Sequence, residues 1–180
     1  MNNILKFNPA LPVIRNLQWV AKARSKEDAR YELTLICIQN DMAIATDGCR
    51  MHCCDTQGLF SQDQDGLWEV IKNTKKDFIM SKVETDKKYP EWERAFEPIR
   101  PEMKTVNCRG GDKGGLYVME SFWTIAREFE IENESLNYNY LQDLLNDHFT
   151  AYLPTDRFKP VQFQNETKFG LIMPFKTITV

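Results

Sequence analysis

The sequence has little of what catalysis requires. Its 180 residues include only two histidines, His52 and His148. There is no Gly-x-Ser-x-Gly, no Cys/His pair at a recognisable catalytic spacing and no helix-borne metal motif, so nothing in the pattern marks an enzyme. The glycine run Arg109-Gly-Gly-Asp-Lys-Gly-Gly115 lacks the Gly-Lys-Ser/Thr ending and the strand-then-helix setting of a phosphate-binding loop. It reads as a flexible loop that, with Ile99-Arg-Pro-Glu102, marks a boundary region. No apolar run approaches the length of a membrane span, and Met1-Asn-Asn-Ile-Leu-Lys-Phe7 is too short and too polar for a signal peptide. A cytoplasmic protein with no membrane partner is expected. Five cysteines, an odd number without framework spacing, fit a reducing compartment better than a disulfide scaffold. Positive charge is not in excess either: the formal net charge is -3, so the chain as a whole is no electrostatic magnet for nucleic acid.

What is present suffices for a packed core. Hydrophobic residues make up 42% of the chain, with eleven Phe, six Tyr and four Trp among them, enough for one domain or two small halves. The cluster Cys49-Arg-Met-His-Cys-Cys54 invites a metal reading. On a strand, however, Cys49, Met51 and Cys53 share one face while Arg50, His52 and Cys54 share the other. The remaining candidate ligands, Cys37, Cys108 and His148, form no Cys-x-x-Cys pair. Neither a metal nor any other cofactor is therefore expected.

Asn8 before Pro9 reads as a helix cap with proline at the first helical position, and Val13, Ile14, Leu17, Val20 and Ala21 follow at helical spacing over about Pro9 to Arg24. Arg15, Trp19, Lys22 and Lys26 then fall on the opposite face. Tyr31 to Ile38 and Met42 to Cys53 are expected to pair as antiparallel strands, with Thr46-Asp47-Gly48 as a bulge or turn. Asp47 is explained as a turn residue rather than an acid or base. Leu67 to Asn73 and Asp77 to Val83 read as a hairpin. A strand is expected at Thr105 to Cys108, and three short ones at Phe149 to Leu153, Pro160 to Gln164 and Lys168 to Met173. Leu141, Leu144, Leu145 and His148 define a second amphipathic helix, about Asn137 to His148, whose outer face carries Asn139, Gln142, Asp143 and Asn146. Leu116 to Ile131 fits helix and strand alike.

Four segments carry a resemblance, in chain order. Ala45-Thr-Asp-Gly-Cys-Arg-Met51 resembles the Ala-Thr-Asp-Gly-His-Arg-Leu segment of the bacterial replication sliding clamp, the β subunit of DNA polymerase III. Asp77-Phe-Ile-Met-Ser-Lys-Val-Glu84, with Tyr89-Pro-Glu-Trp-Glu-Arg94 and Pro98, resembles the clamp's Phe-x-Ser-Lys strand and Tyr-Pro-Asp-Tyr link. Leu136-Asn-Tyr-Asn-Tyr-Leu-Gln-Asp-Leu-Leu145 resembles its Phe-Asn-Val-Asn-Tyr-Leu-Leu-Asp-x-Leu helix, and Leu171-Ile-Met-Pro-Phe-Lys176 its terminal Val-Met-Pro-Met-Arg. The likeness of Ala126 to Ile131 to a clamp segment tips the 116–131 region towards strand.

The resemblance implies an α+β, DNA-clamp-like fold, with two amphipathic helices packed on one side of a curved antiparallel sheet. It also implies two clamp-like halves, 1–98 and 99–180, the first without the second helix of a complete clamp domain. A sliding-clamp-like replication or repair accessory protein, of a phage or mobile element, is the function it suggests. Its partners would be double-stranded DNA, bound weakly and without sequence preference through Arg15, Lys22 and Lys26, and the clamp-binding peptides of polymerases and other proteins. The matching peptide-pocket positions are Thr46, Gly48, Arg50, Met51, Pro98, Ile172, Met173, Pro174 and Phe175. A ring built from one such domain per chain would be a homo-oligomer. The alternative is a clamp-fold interaction module that does not encircle DNA.

Overall fold

The structure, a computed structural model, describes residues 4–111, 115–129, 134–156 and 158–176; for 134, 135, 175 and 176 only the backbone is described. The centre of the glycine loop and the end of the 116–131 segment lie outside the described residues. The chain forms two compact units, Met1–Glu91 and Trp92–Val180.

In the first unit, six strands are β1 (Ile4–Phe7), β2 (Ile36–Gln39), β3 (Met42–Thr46), β4 (Arg50–Asp55), β5 (Gly66–Asn73) and β6 (Phe78–Val83). They lie in the order β1-β6-β5-β2-β3-β4, and every neighbouring pair is antiparallel. Asn40 and Asp41, both at positive φ, close β2 onto β3 in a two-residue turn of the kind that matches strand twist. The expected long strand from Met42 to Cys53 is two strands, because Thr46 to Arg50 reverses the chain and pairs Thr46 with Met51. From β4 to β5 the chain runs through a short 3₁₀ turn, Gln62–Gln64, closed by reciprocal Ser61 and Gln64 bonds, and no α-helix intervenes. Strand β1 lies outside the expected elements; four residues carry too little pattern, and pairing with β6 holds it in place.

Helix α1 is Pro12–Val20, shorter than the expected Pro9 to Arg24. The Asn8 side chain accepts from the Ala10 amide at 3.0 Å and makes a turn, so it is Pro12 that stands in the first helical turn. A 3₁₀ turn, Ala21–Ala23, follows, and Lys26 lies beyond any helix. The helix packs on β3 and β4 through Ile14, Leu17, Trp19 and Val20.

The second unit contains β7 (Lys104–Cys108), α2 (Leu116–Glu128), β8 (Glu134–Ser135), α3 (Tyr138–Leu144), β9 (Phe149–Leu153), β10 (Val161–Gln164), β11 (Lys168–Ile172) and β12 (Phe175–Lys176). Its main strands run β11-β10-β9-β7, antiparallel throughout, and β12 and β8 form a short ribbon. Asn137 caps α3 by accepting from the Asn139 and Tyr140 amides. α2 packs on β7 and α3, and α3 on β11.

The strand expected at 116–131 is the helix α2. Val118, Ser121 and Ile125, at i, i+3 and i+7, are its buried residues. A serine on the buried face breaks the apolar 3.6-residue period, while exposed Tyr117, Met119 and Trp123 imitate alternation. The α+β class and the antiparallel sheets bearing helices agree with expectation; the helices number three among the described residues rather than two.

Candidate functional site

The best-defined feature of the first unit is the turn between β3 and β4. Thr46 donates its hydroxyl to the Arg50 carbonyl at 2.6 Å and accepts from the Gly48 amide at 3.0 Å. One carboxylate oxygen of Asp47 accepts from the amides of Cys49 and Arg50, each at 3.0 Å. Its other oxygen accepts from Arg50 Nε at 3.1 Å. Gly48 adopts φ +89°, a region side chains resist, and a Cβ there would also approach Arg30 Nη2 to 3.2 Å. Arg50 completes the arrangement by donating Nη2 to the Lys22 carbonyl at 2.6 Å, so the turn is tied to the end of the helical segment. Arg50 and Asp47 side chains are only 10% and 14% exposed. The guanidinium of Arg50, one of the expected peptide-pocket positions, is thus a clasp within the unit. Asp47, which the sequence explains as a turn former, is the other half of it.

Of the remaining expected pocket positions in this unit, Thr46 and Met51 are buried and Gly48 is exposed. In the second unit Ile172 ends β11 in the core, Met173 is exposed and Pro174 half-buried; for Phe175 only the backbone is described. Pro98 is exposed on the segment before β7. The carbonyl of its neighbour Glu97 accepts from Gln162 Nε2 at 3.1 Å, and its carboxylate meets Lys159 at 3.2 Å.

The expected basic face needs two corrections, at Trp19 and at Lys26. Trp19 does not share it: the indole is buried and stacks on His52 with ring centres 4.2 Å apart and planes within 9°. His52 Nδ1 lies 2.9 Å from the Trp19 carbonyl, so the cluster around Cys49 to Cys54 is divided between sheet faces by the strand period. Arg15 and Lys22 are exposed, and Arg15 donates to the Ala10 carbonyl. Lys26 is exposed on the following loop, since no continuous helix reaches it. On the outer side of α3, Asn139 and Gln142 are exposed. His148, expected on an apolar helix edge, is exposed past the helix end.

Buried polar groups elsewhere are protected rather than activated. Burial raises the Tyr89 phenol well above its ordinary value, with Cys37 and Cys53 adding to the shift. Burial likewise pushes the Cys108 thiol up to about 11, against opposing hydrogen bonds from Ser121 and the Ala151 backbone. Such a thiol is a poor nucleophile. One surface that the sequence pattern hides altogether is the outer side of α2, where Leu116, Met119 and Trp123 face solvent. Only knowing that this segment is a helix reveals it.

The architecture of antiparallel sheets bearing helices places the chain in the class of DNA-clamp folds. The particular likeness is to bacterial DNA polymerase III β sliding clamps. The DNA polymerase sliding clamp of Pseudomonas aeruginosa superposes with a TM-score of 0.56 at 14% identity, covering 96% of this chain and 66% of that one. The β subunit from Streptococcus pyogenes DNA polymerase gives 0.55 at 16%, covering 97% and 66%. The Thermotoga maritima β subunit gives 0.56 at 12%, covering 96% and 65%. This chain thus spans slightly less than two thirds of the length of the clamps it matches. No family model matches the sequence, and no curated protein matches it. In fold the chain is clamp-like over nearly all of its own length. Among its described residues no helix is long and apolar enough to cross a membrane.

Proposed function

We propose that this protein is a non-enzymatic, clamp-like accessory factor of DNA replication or repair that tethers partner proteins by holding their short peptides. Likeness to sliding clamps over 96% of the chain is the observation that carries this reading. In the first unit the peptide-facing position of this reading is Gly48, with Thr46, Arg50 and Met51 holding the turn behind it; in the second unit, taken by itself, Pro98, Met173, Pro174 and Phe175 are the expected contacts and buried Ile172 supports them. Within the second unit an adaptable methionine and rigid prolines suit an apolar peptide, and within the first the clasped turn presents ordered backbone. Because Arg50 is engaged by Asp47 and the Lys22 carbonyl, its part is to hold the turn. A cytoplasmic setting belongs to the same reading and is supported by five cysteines, an odd number without disulfide-framework spacing.

The test is a titration with a synthetic peptide carrying the clamp-binding segment of a bacterial replicative polymerase. Met173 is exposed, so Met173→Asp leaves the fold intact and is expected to weaken binding at least tenfold. Full-strength binding by that variant, or no binding by the wild type, refutes the peptide-tether reading.

DNA association through Arg15, Lys22 and Lys26 is the second element. Their replacement by Glu should weaken binding to any duplex uniformly and flatten the salt dependence by about one unit of slope per lost contact. An unchanged slope removes these residues from the interface. The competing reading, an interaction module that does not encircle DNA, is favoured by the uncharged outer residues Asn139 and Gln142 of α3 and by the net charge of -3. Sizing with and without duplex separates the two: a ring requires a large closed assembly that retains DNA.

A further inference from the structure

The outward side of α2 is built as a seam. Leu116, Glu120, Trp123 and Arg127 follow one another at intervals of four, three and four residues, the spacing that keeps side chains in line on a helix meeting another helix. All four are exposed, Leu116 at 68% and Trp123 at 65%, with Met119 beside them. The opposite side, Val118, Ser121 and Ile125, is the one that packs into the unit. An indole and two long aliphatic side chains aligned on one helix face form a concentrated apolar surface on a chain of net charge -3.

The charges on this seam select its occupant. Glu120 and Arg127 stand seven residues apart, about 10 Å along the axis, on either side of Trp123. A partner helix must offer a base opposite the acid and an acid opposite the base, with an apolar group between. α2 itself, turned end for end, meets that requirement. We propose that two copies of this chain pair through α2, antiparallel about a two-fold axis close to Trp123. Trp123 then packs on its copy, and Glu120 of each helix lies beside Arg127 of the other. Parallel pairing would set Glu120 against Glu120 and Arg127 against Arg127, and is excluded by repulsion. Arg127 makes a 3.6 Å contact to Glu128, with side chains 76% and 41% exposed, which costs little to exchange. The contact is self-complementary, as a two-fold interface must be.

The face is one helix of thirteen residues, roughly 20 Å long. It buries well under the ~800 Å² per partner of a standard stable interface, so the pairing belongs to the weak, reversible class. A dissociation constant on the order of 10–100 μM is expected.

Sedimentation equilibrium of the full chain over a concentration range bracketing that value tests the proposal. The wild type should fit a monomer–dimer equilibrium, and Trp123→Glu should remain monomeric throughout. Glu120→Arg and Arg127→Glu should each weaken pairing about tenfold, whereas the double charge exchange should return it to near the wild-type level. Circular dichroism establishes that each variant is folded, and Trp123→Gln replaces Trp123→Glu if the latter does not fold. A wild type that stays monomeric overturns the proposal, as does a dimer that survives loss of Trp123. Failure of the double exchange to restore pairing overturns the antiparallel arrangement.

Discussion

Helices α1 and α2 each carry one tryptophan and use it in opposite senses. In α1 the indole of Trp19 is buried, stacked on His52 of β4, and the outward residues include the cation Arg15. In α2 the indole of Trp123 is exposed, touching Phe122 edge-on at 5.4 Å, while a serine and two aliphatic residues face inward. The first helix commits its apolar surface to its own unit, and the second keeps much of it for something outside. An aromatic residue in an amphipathic pattern therefore does not say which way the helix turns. That is decided by what the neighbouring sheet offers: β4 presents a flat imidazole that an indole can stack on.

The largest expected effect comes from removing each tryptophan in turn. Trp19→Ala deletes a buried, stacked ring and should lower stability by about 3–5 kcal/mol. Trp123→Ala removes an exposed ring and should change it by no more than about 0.5 kcal/mol. Urea unfolding followed by far-UV circular dichroism measures both, and equal losses would abolish the contrast.

Next in size is a comparison of ion pairs. Asp47→Ala strands the largely buried Arg50 and unties the amides of Cys49 and Arg50, at a cost of about 2–3 kcal/mol. Glu128→Ala, which breaks the exposed pair with Arg127, should cost under about 0.5 kcal/mol. If Asp47→Ala is as mild as Glu128→Ala, the clasp at the β3–β4 turn is not holding it.

The smallest effect concerns thiols. Cys49 is exposed at the turn and Cys108 is buried beneath α2 with its thiol raised to about 11. Because the unfolded chain releases that proton near pH 9.0, the stability linked to the protonated Cys108 is intact below that pH and declines as pH rises through about 11. Cys108→Ser should remove this part of the alkaline decline. Alkylation at neutral pH, located by mass spectrometry, should modify Cys49 long before Cys108. Comparable rates would show that the helix does not shield β7.

Much of the sheet is legible in local sequence. The turn residues Asn40-Asp41, the hairpin of β5 and β6, and the three strands from Phe149 onward follow from alternation bounded by turn formers, local signals that survive tertiary packing. The clamp-like fold is carried by four short segments in order. The Thr46–Met51 residues of the candidate site are legible as a motif, but the inward engagement of Arg50 is not. Its donation to the Lys22 carbonyl joins residues 28 positions apart, and no local pattern encodes such a contact.

The α+β class came from the resemblance of four segments, whereas period and turn chemistry determined most strands and the existence of α1 and α3, because each of those elements is favoured by its own residues. Tertiary structure decided where α1 starts and stops, which side of it Trp19 occupies, that β1 exists at all, and that 116–128 is a helix. Strand β1 is held by its ladder to β6, and α2 by burying Val118, Ser121 and Ile125 in its unit. In each case the free energy that settles the conformation comes from a surface elsewhere in the chain.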